Sequence, residues 1–235
     1  MNFGIIAAGE GSRLAGEGIT LPKPLVEING QPMIGRLLRI FGECGAETVA
    51  VVTNATRPET AAYLKEIEPT LPFRLEVKEA VTPSSMHTFA IVGEMLRGKG
   101  RFIACTVDTI FNPENFKRYV KAFEEAPERV DGMMAVTSYI EDEKPLYVAT
   151  DPEMNILAFL DQPEKGVKYI SAGVYGLGGG GLDILDDCLE AGVQRMRNFQ
   201  RALVAGGERL KAYDIGRAID VDHESDLRQA NIIGN

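Results

Sequence analysis

Two rhythms of apolar residues alternate along the first part of the chain. Residues 3–8, FGIIAA, form a short unbroken apolar run, as a strand covered on both faces requires. Residues 32–45, PMIGRLLRIFGECG, switch to helical spacing, with Met33, Ile34, Leu37, Leu38 and Phe41 on one stripe and glycines closing the segment. TVAVVTN (48–54) returns to a β-branched strand, and PETAAYLKEI (58–67) predicts a helix opened by proline. The pattern then predicts a strand over 73–79, a helix over 86–98, a strand over 101–111 that breaks at Asp108, a helix over 113–126 and a strand over 130–140. Such alternation implies a Rossmann-like α/β fold: a mixed, mainly parallel sheet with helices on both faces and right-handed crossovers.

The second part of the chain has a different texture. Residues 145–162 predict two strands joined by a turn at Asp151-Pro152-Glu153-Met154-Asn155. KYISAGVYGL (168–177) predicts another strand, and 181–207 a helix in two pieces split near Gly192. Short strands are expected at 209–215 and 217–221, and a last helix at 223–233, with Asp222 or His223 near its cap and Glu224 in its first turn. There is no internal repeat, low-complexity tract or linker, so a single domain over 1–235 is expected.

Composition narrows the partners. The chain is 45% hydrophobic and 25% charged, which suits a folded domain with a sizeable core. A net charge of −9 argues against non-specific binding to nucleic acid, which needs a basic footprint. Cys44, Cys105 and Cys188 are far apart and odd in number, as expected of reduced thiols in a cytoplasmic protein. No basic segment followed by an apolar one opens the chain, and no apolar run approaches the ~20 residues needed to cross a bilayer. No membrane partner is therefore expected.

The candidate chemistry begins where the first strand meets glycine, at Ala7-Ala8-Gly9-Glu10-Gly11-Ser12-Arg13-Leu14. Bare backbone after a parallel strand lets amide groups converge on a phosphate. Gly9, Gly11 and Gly16 miss the dinucleotide spacing, and the G-K-[ST] of a Walker loop is absent. On spacing alone, a phosphate site and a merely flexible loop both remain open. Farther on stands Leu21-Pro22-Lys23-Pro24-Leu25, where two prolines restrain a lysine. The pair A-A-G-x-G-[ST]-R-[LM] and P-K-P-L, followed by VEINGQPMIGRLL, resembles the signature of the sugar-phosphate nucleotidyltransferases in their short, single-domain form.

That resemblance implies a division of labour. Residues 1–140 would bind nucleotide, and 141–235 would bind the acceptor and complete the metal site. Ala7, Ala8, Gly9, Gly11 and Ser12 would cradle the triphosphate. Arg13 would hold it as a planar fork, and Lys23 would act as a point charge on the α-phosphate. Asp108, at the carboxyl end of a buried strand, falls where the family has a Mg²⁺ ligand. The late segment Ala218-Ile219-Asp220-Val221-Asp222-His223 offers Asp220 at the family's second ligand position. Asp222 lies two residues on, and in a strand i and i+2 share a face. Capping by Asp222 and simple solvation of Asp220 are the alternatives, and Asp226 is assigned to a helix surface.

Two departures bear on substrate. Where the family reads base and ribose with a glycine-rich turn, this chain has Thr82-Pro83-Ser84-Ser85, so Ser84 and Ser85 either cap the next helix or bond the base. The family's N-A-G-[IV]-Y strand becomes Ser171-Ala172-Gly173-Val174-Tyr175, where Gly173 would admit a sugar ring or only a tight strand crossing. The family's E-K-P becomes Asp161-Gln162-Pro163, which leaves Lys165 or Lys168 to meet the acceptor phosphate. The expected activity is Mg²⁺-dependent transfer of NMP from an NTP to a sugar 1-phosphate, or a similar phosphorylated alcohol, releasing pyrophosphate. An inactive nucleotide sensor and a glycosyltransferase of related architecture are the alternatives, and homo-oligomerisation is left open.

Overall fold

The computed structural model describes residues 1–140 and 144–234; residue 141, where the acceptor part was expected to begin, lies outside them. The chain runs β1 (Asn2–Ala7), α1 (Ser12–Gly16), β2 (Glu27–Ile28), β3 (Gln31–Pro32), α2 (Met33–Glu43), β4 (Thr48–Asn54) and α3 (Glu59–Ile67). It continues through β5 (Arg74–Ala80), α4 (Ser85–Leu96), β6 (Phe102–Thr106), β7 (Thr109–Phe111), α5 (Pro113–Glu124) and β8 (Gly132–Thr137). It closes with β9 (Tyr147–Thr150), β10 (Ile156–Leu160), β11 (Tyr169–Leu177), α6 (Gly179–Glu190), α7 (Met196–Ala205), β12 (Leu210–Asp214), β13 (Ala218–Asp220) and α8 (Glu224–Ile233).

Among the described residues nine strands form one mixed sheet. β1 lies at its centre, parallel to β4 and β6, and β5 extends the parallel half as an edge. Beyond β6 the direction reverses: β11 runs antiparallel to β6, β8 and β9, while β12 pairs in parallel with β8. β9 and β10 form the hairpin expected from the D-P-E-M-N turn.

The two faces of β1 explain why its sequence is apolar throughout. Phe3, Ile5 and Ala7 pack with Ile34, Leu37 and Phe41 of α2 and Phe116 of α5. Ile6 and Ala8 point the other way, toward Phe89 and Val92 of α4 and, beyond them, Phe199 of α7. Period-two alternation thus feeds two cores, one per face of the sheet. A third, smaller cluster joins Leu14, Val26, Ile28 and Met33 to Ile110, Ile219, Val221, Ala230 and Ile233. It seats α1 and α8 beside each other, and the site depends on it.

Three local features differ from the sequence reading. Residues 101–111 are two strands: β6 belongs to the main sheet, and β7 turns away at Asp108 to pair antiparallel with β13. The glycine loop contains a single helical turn, α1, started by Gly11 in the left-handed conformation at φ 63. Short two-residue strands at 27–28 and 31–32 form a ribbon before α2. No described helix is long and apolar enough to cross a membrane.

Candidate functional site

A cleft of about 510 Å³ opens at the carboxyl ends of β1 and β6. Its walls include Ala7, Ala8, Gly9, Gly11, Ser12 and Arg13 from the first loop. Lys23, Ser84, Ser85, Asp108 and Asp222 complete it. Residues 215 positions apart in sequence, Ala7 and Asp222, therefore meet in one cavity.

The positioning can be traced through the backbone. Gly11 needs its positive φ to turn the loop into α1, and a Cβ there would stand 3.0 Å from Lys23 Cβ. Lys23 is carried on a 3-10 turn, Lys23–Leu25, behind Pro22. β7 and β13 pair with Thr109 opposite Asp220, and the Val221 amide donates to the Asp108 carbonyl at 3.0 Å. This short ribbon brings Asp108 and Asp222 together.

The Lys23 ammonium sits between the two carboxylates, 2.5 Å from Asp108 Oδ2 and 2.7 Å from Asp222 Oδ1. The other oxygen of Asp222 accepts from Arg13 Nη1. Only 11% of the Lys23 side chain is exposed. Burial opposes its charge, but the Asp108 and Asp222 carboxylates outweigh burial and raise its pKa above the ordinary lysine value. Lys23 is therefore a fixed cation at neutral pH. For Asp222, burial pushes the pKa up, but Lys23 and Arg13 together bring it below the usual aspartate value.

Asp220 has different neighbours. Its Oδ1 accepts from Thr109 Oγ1 at 2.6 Å, and that hydroxyl also meets Thr106 Oγ1 at 2.6 Å. It lines a narrower cavity of about 70 Å³ with Tyr139, Ser171 and Ala172. Arg13 and Asp222 border both spaces, so the two adjoin. Among the described residues no three His, Cys, Asp or Glu side chains converge as a ready-made metal site.

The remaining expected residues divide. Ser84 is the N-cap of α4 by position, but its hydroxyl is 2.9 Å from His87 Nδ1 and makes no bond to the helix amides. Ser84, Ser85 and Thr88 all line the cleft. Gly173, at φ 66, does not present open space: a Cβ there would stand 2.3 Å from Thr109 Oγ1 and 2.6 Å from Thr106 Oγ1. It is needed so that β11 can pass the threonine pair that holds Asp220. Lys165 and Lys168 are exposed on the β10–β11 connection and line neither cavity, and the Lys168 ammonium lies 4.8 Å from the Tyr169 ring centroid.

Two positioning residues carried no signal in the sequence. Asp226, expected on a helix surface, accepts from the backbone N–H of Asp222 at 2.9 Å and of His223 at 2.7 Å. Together with His223 it forms a capping box for α8. Glu17, just past α1, accepts from the Glu224 amide at 2.6 Å and lies 2.7 Å from His223 Nδ1. It ties the glycine loop to the start of α8 and so fixes Arg13 relative to Asp222.

The glycine loop, the paired cation and the carboxylates thus share one cleft at the carboxyl edge of an α/β sheet, where such sheets bind their ligands. Residues 4–170 match the MobA-like NTP transferase domain, and the chain belongs to that family. It is 31% identical over 111 residues to a 2-aminoethylphosphonate cytidylyltransferase of Lancefieldella rimae, covering 47% of this chain and 44% of that protein. It is 27% identical over 176 residues to a mannose-1-phosphate guanyltransferase of Aspergillus fumigatus, covering 73% of this chain and 48% of that protein. The chain thus spans about half the length of these curated relatives. The solved inositol-1-phosphate CTP transferase of T. maritima superposes with a TM-score of 0.78 at 17% identity, covering 99% of this chain and 94% of that one.

Proposed function

We propose that this protein transfers a nucleoside monophosphate from an NTP to the phosphate of a sugar 1-phosphate or a similar small phosphorylated alcohol, releasing pyrophosphate. The observation that carries this reading is Lys23, charged and held by two carboxylates at the mouth of a glycine-walled cleft that Arg13 also borders. In that reaction an acceptor oxygen forms a bond to the α-phosphorus and the bond to the pyrophosphate leaving group breaks in line. The acceptor oxygen is already ionised at neutral pH, so no general base is required. The protein's part is to position the partners and to stabilise charge. The loop amides and the first turn of α4 receive the triphosphate, Arg13 forks onto its oxygens, and Lys23 meets the α-phosphate charge.

The donor set fits Mg²⁺: Asp108 and Asp222 already converge on one cation, through oxygen only, and substrate oxygens and water would complete the shell. Bound there, Mg²⁺ would neutralise charge developing on the phosphates. In this reading Asp222 rather than Asp220 partners Asp108, and Asp220 faces the acceptor side. The narrow cavity beside Ser171 and Ala172 is the acceptor's entry, and the names of the relatives make CTP the first nucleotide to try.

The test is pyrophosphate release with each NTP, Mg²⁺ and a panel of sugar and alcohol phosphates. Activity with one pair, lost in a folded Lys23→Ala variant, is the expected result. Nucleotide binding without pyrophosphate release under any pairing would point to a sensor, and retained activity in Lys23→Ala would sink the assigned chemistry.

A further inference from the structure

Arg36 is a buried charge whose hydrogen bonds are incomplete. It projects from α2, is 2% exposed and belongs to the largest fully buried side chains of the protein. Its Nη2 donates to the Phe111 carbonyl, and its Cζ lies 5.5 Å from the Phe111 ring centroid. Nε and Nη1 have no hydrogen-bond partner among the described residues. Those two nitrogens carry three N–H donors. A buried guanidinium with one neutral acceptor is expensive, and an apolar side chain could fill the same volume.

The guanidinium borders a cavity of about 370 Å³ that shares no lining residue with the nucleotide cleft and is lined also by Gln31, Arg39, Glu43, Glu114 and Gly234. The charges around it are paired, with one exception. Glu43 bonds Arg39 at 2.7 Å and Lys117 at 2.9 Å, and Lys117 also holds Glu114 at 2.7 Å. Among the described residues, with Lys117 just outside the lining counted in, three cations face two carboxylates, and Arg36 is the cation that pairs with neither. The end of α8 closes beside it, since a Cβ on Gly234 would come within 3.5 Å of Nε. The helix's carbonyl end supplies partial negative charge there but no bond to Nε or Nη1. Water entering the cavity can accept hydrogen bonds but brings no charge.

We propose that this cavity is a second ligand site, distinct from the nucleotide cleft, that binds a small carboxylate monoanion against the Arg36 guanidinium. One negative charge completes the local balance, and a carboxylate has the planar oxygens that a guanidinium recognises. Burial already lowers the Arg36 pKa to about 10, so the group remains charged at neutral pH and ready to pair.

Acetate is the probe. Sodium acetate is titrated into the whole protein at constant ionic strength, with chloride making up the balance, while melting temperature and the Arg36 Nε resonance are followed. A saturable shift of that resonance is expected, with a melting temperature raised by about 4 °C when acetate exceeds its dissociation constant tenfold. Arg36→Met should melt no lower than wild type without acetate and should not respond to it. An unmoved Arg36 resonance, or an equal thermal response in Arg36→Met, would overturn the site. The wild-type resonance decides alone if that variant does not fold. A larger shift with inorganic phosphate than with acetate would overturn the assignment to a carboxylate.

Discussion

Replacing Asp222 by asparagine, beside the matching change at Asp220, separates two readings of the late carboxylates. Asp222 touches Lys23 at 2.7 Å, which at an effective dielectric of about 20 is an attraction of about 6 kcal/mol before costs. Much of that is offset. Both groups lose hydration, Lys23 keeps Asp108, and the Asp222 side chain is 35% exposed and therefore screened. A net loss of about 1–2 kcal/mol remains. For a chain of this length that lowers the melting temperature by about 2–8 °C. Asp220→Asn keeps an oxygen for the Thr109 hydroxyl, and neither the Lys23 nor the Arg13 ion pair runs through Asp220, so its change should be the smaller of the two. In pyrophosphate release, Asp222→Asn should lower kcat/KM by about 10²–10³ and raise the Mg²⁺ needed for half activity, as losing one preorganised charge at a phosphoryl site does. Asp220→Asn should cost less than about tenfold. Calorimetry and a Mg²⁺ titration of both variants decide it. If Asp220→Asn is the more damaged in Mg²⁺ dependence, the pairing through Lys23 does not mark the metal carboxylates.

Further expectations follow from the same contacts. Gly173→Ala must place a Cβ 2.3 Å from Thr109 Oγ1 at a φ of 66, so overpacking and backbone strain together should cost about 3 kcal/mol, read by denaturant melts. Asp222 has a depressed pKa, so its ion pairs stabilise the fold above the unfolded aspartate value near 3.8 and are lost as pH falls below it. The stability gap between wild type and Asp222→Asn should therefore close as pH falls below about 4. Asp226→Asn should loosen the Asp222 amide and the start of α8, lowering the melting temperature by about 2–4 °C, or about 1 kcal/mol.

Most helices and strands were legible because each is long enough to show its period. The apolar run of β1, the stripe of α2 and the split at Gly192 between α6 and α7 each reflect a single local rule. α1 was not legible, since its one turn begins on a left-handed glycine and carries no capping side chain. The break at Asp108 was legible, but β7 beyond it was not, since nothing local says that residues 109–111 resume as a strand outside the main sheet. That departure explains the site's shape. β7 exists to pair with β13, a strand more than 100 residues later, and the pairing sets Asp108 against Asp222.

Motif reading found the residues of the cleft but not their partners, and the reason is physical. A phosphate loop is recognisable because glycine, arginine and lysine are constrained in type by what they must touch. Glu17 and Asp226 are constrained only to be carboxylates that accept backbone N–H groups, a demand that many surface acids meet. Their importance comes from what they hold in register. Glu17 fastens the loop carrying Arg13 to the helix that follows Asp222, and Asp226 fixes the Asp222 amide itself. Because Asp222 joins Arg13 to Lys23, an error in either contact would move all three charges together. Arg13, Lys23 and Asp222 therefore behave as one electrostatic unit, and the third hydrophobic cluster, with Val221 fully buried between the two late aspartates, packs together the elements that carry them.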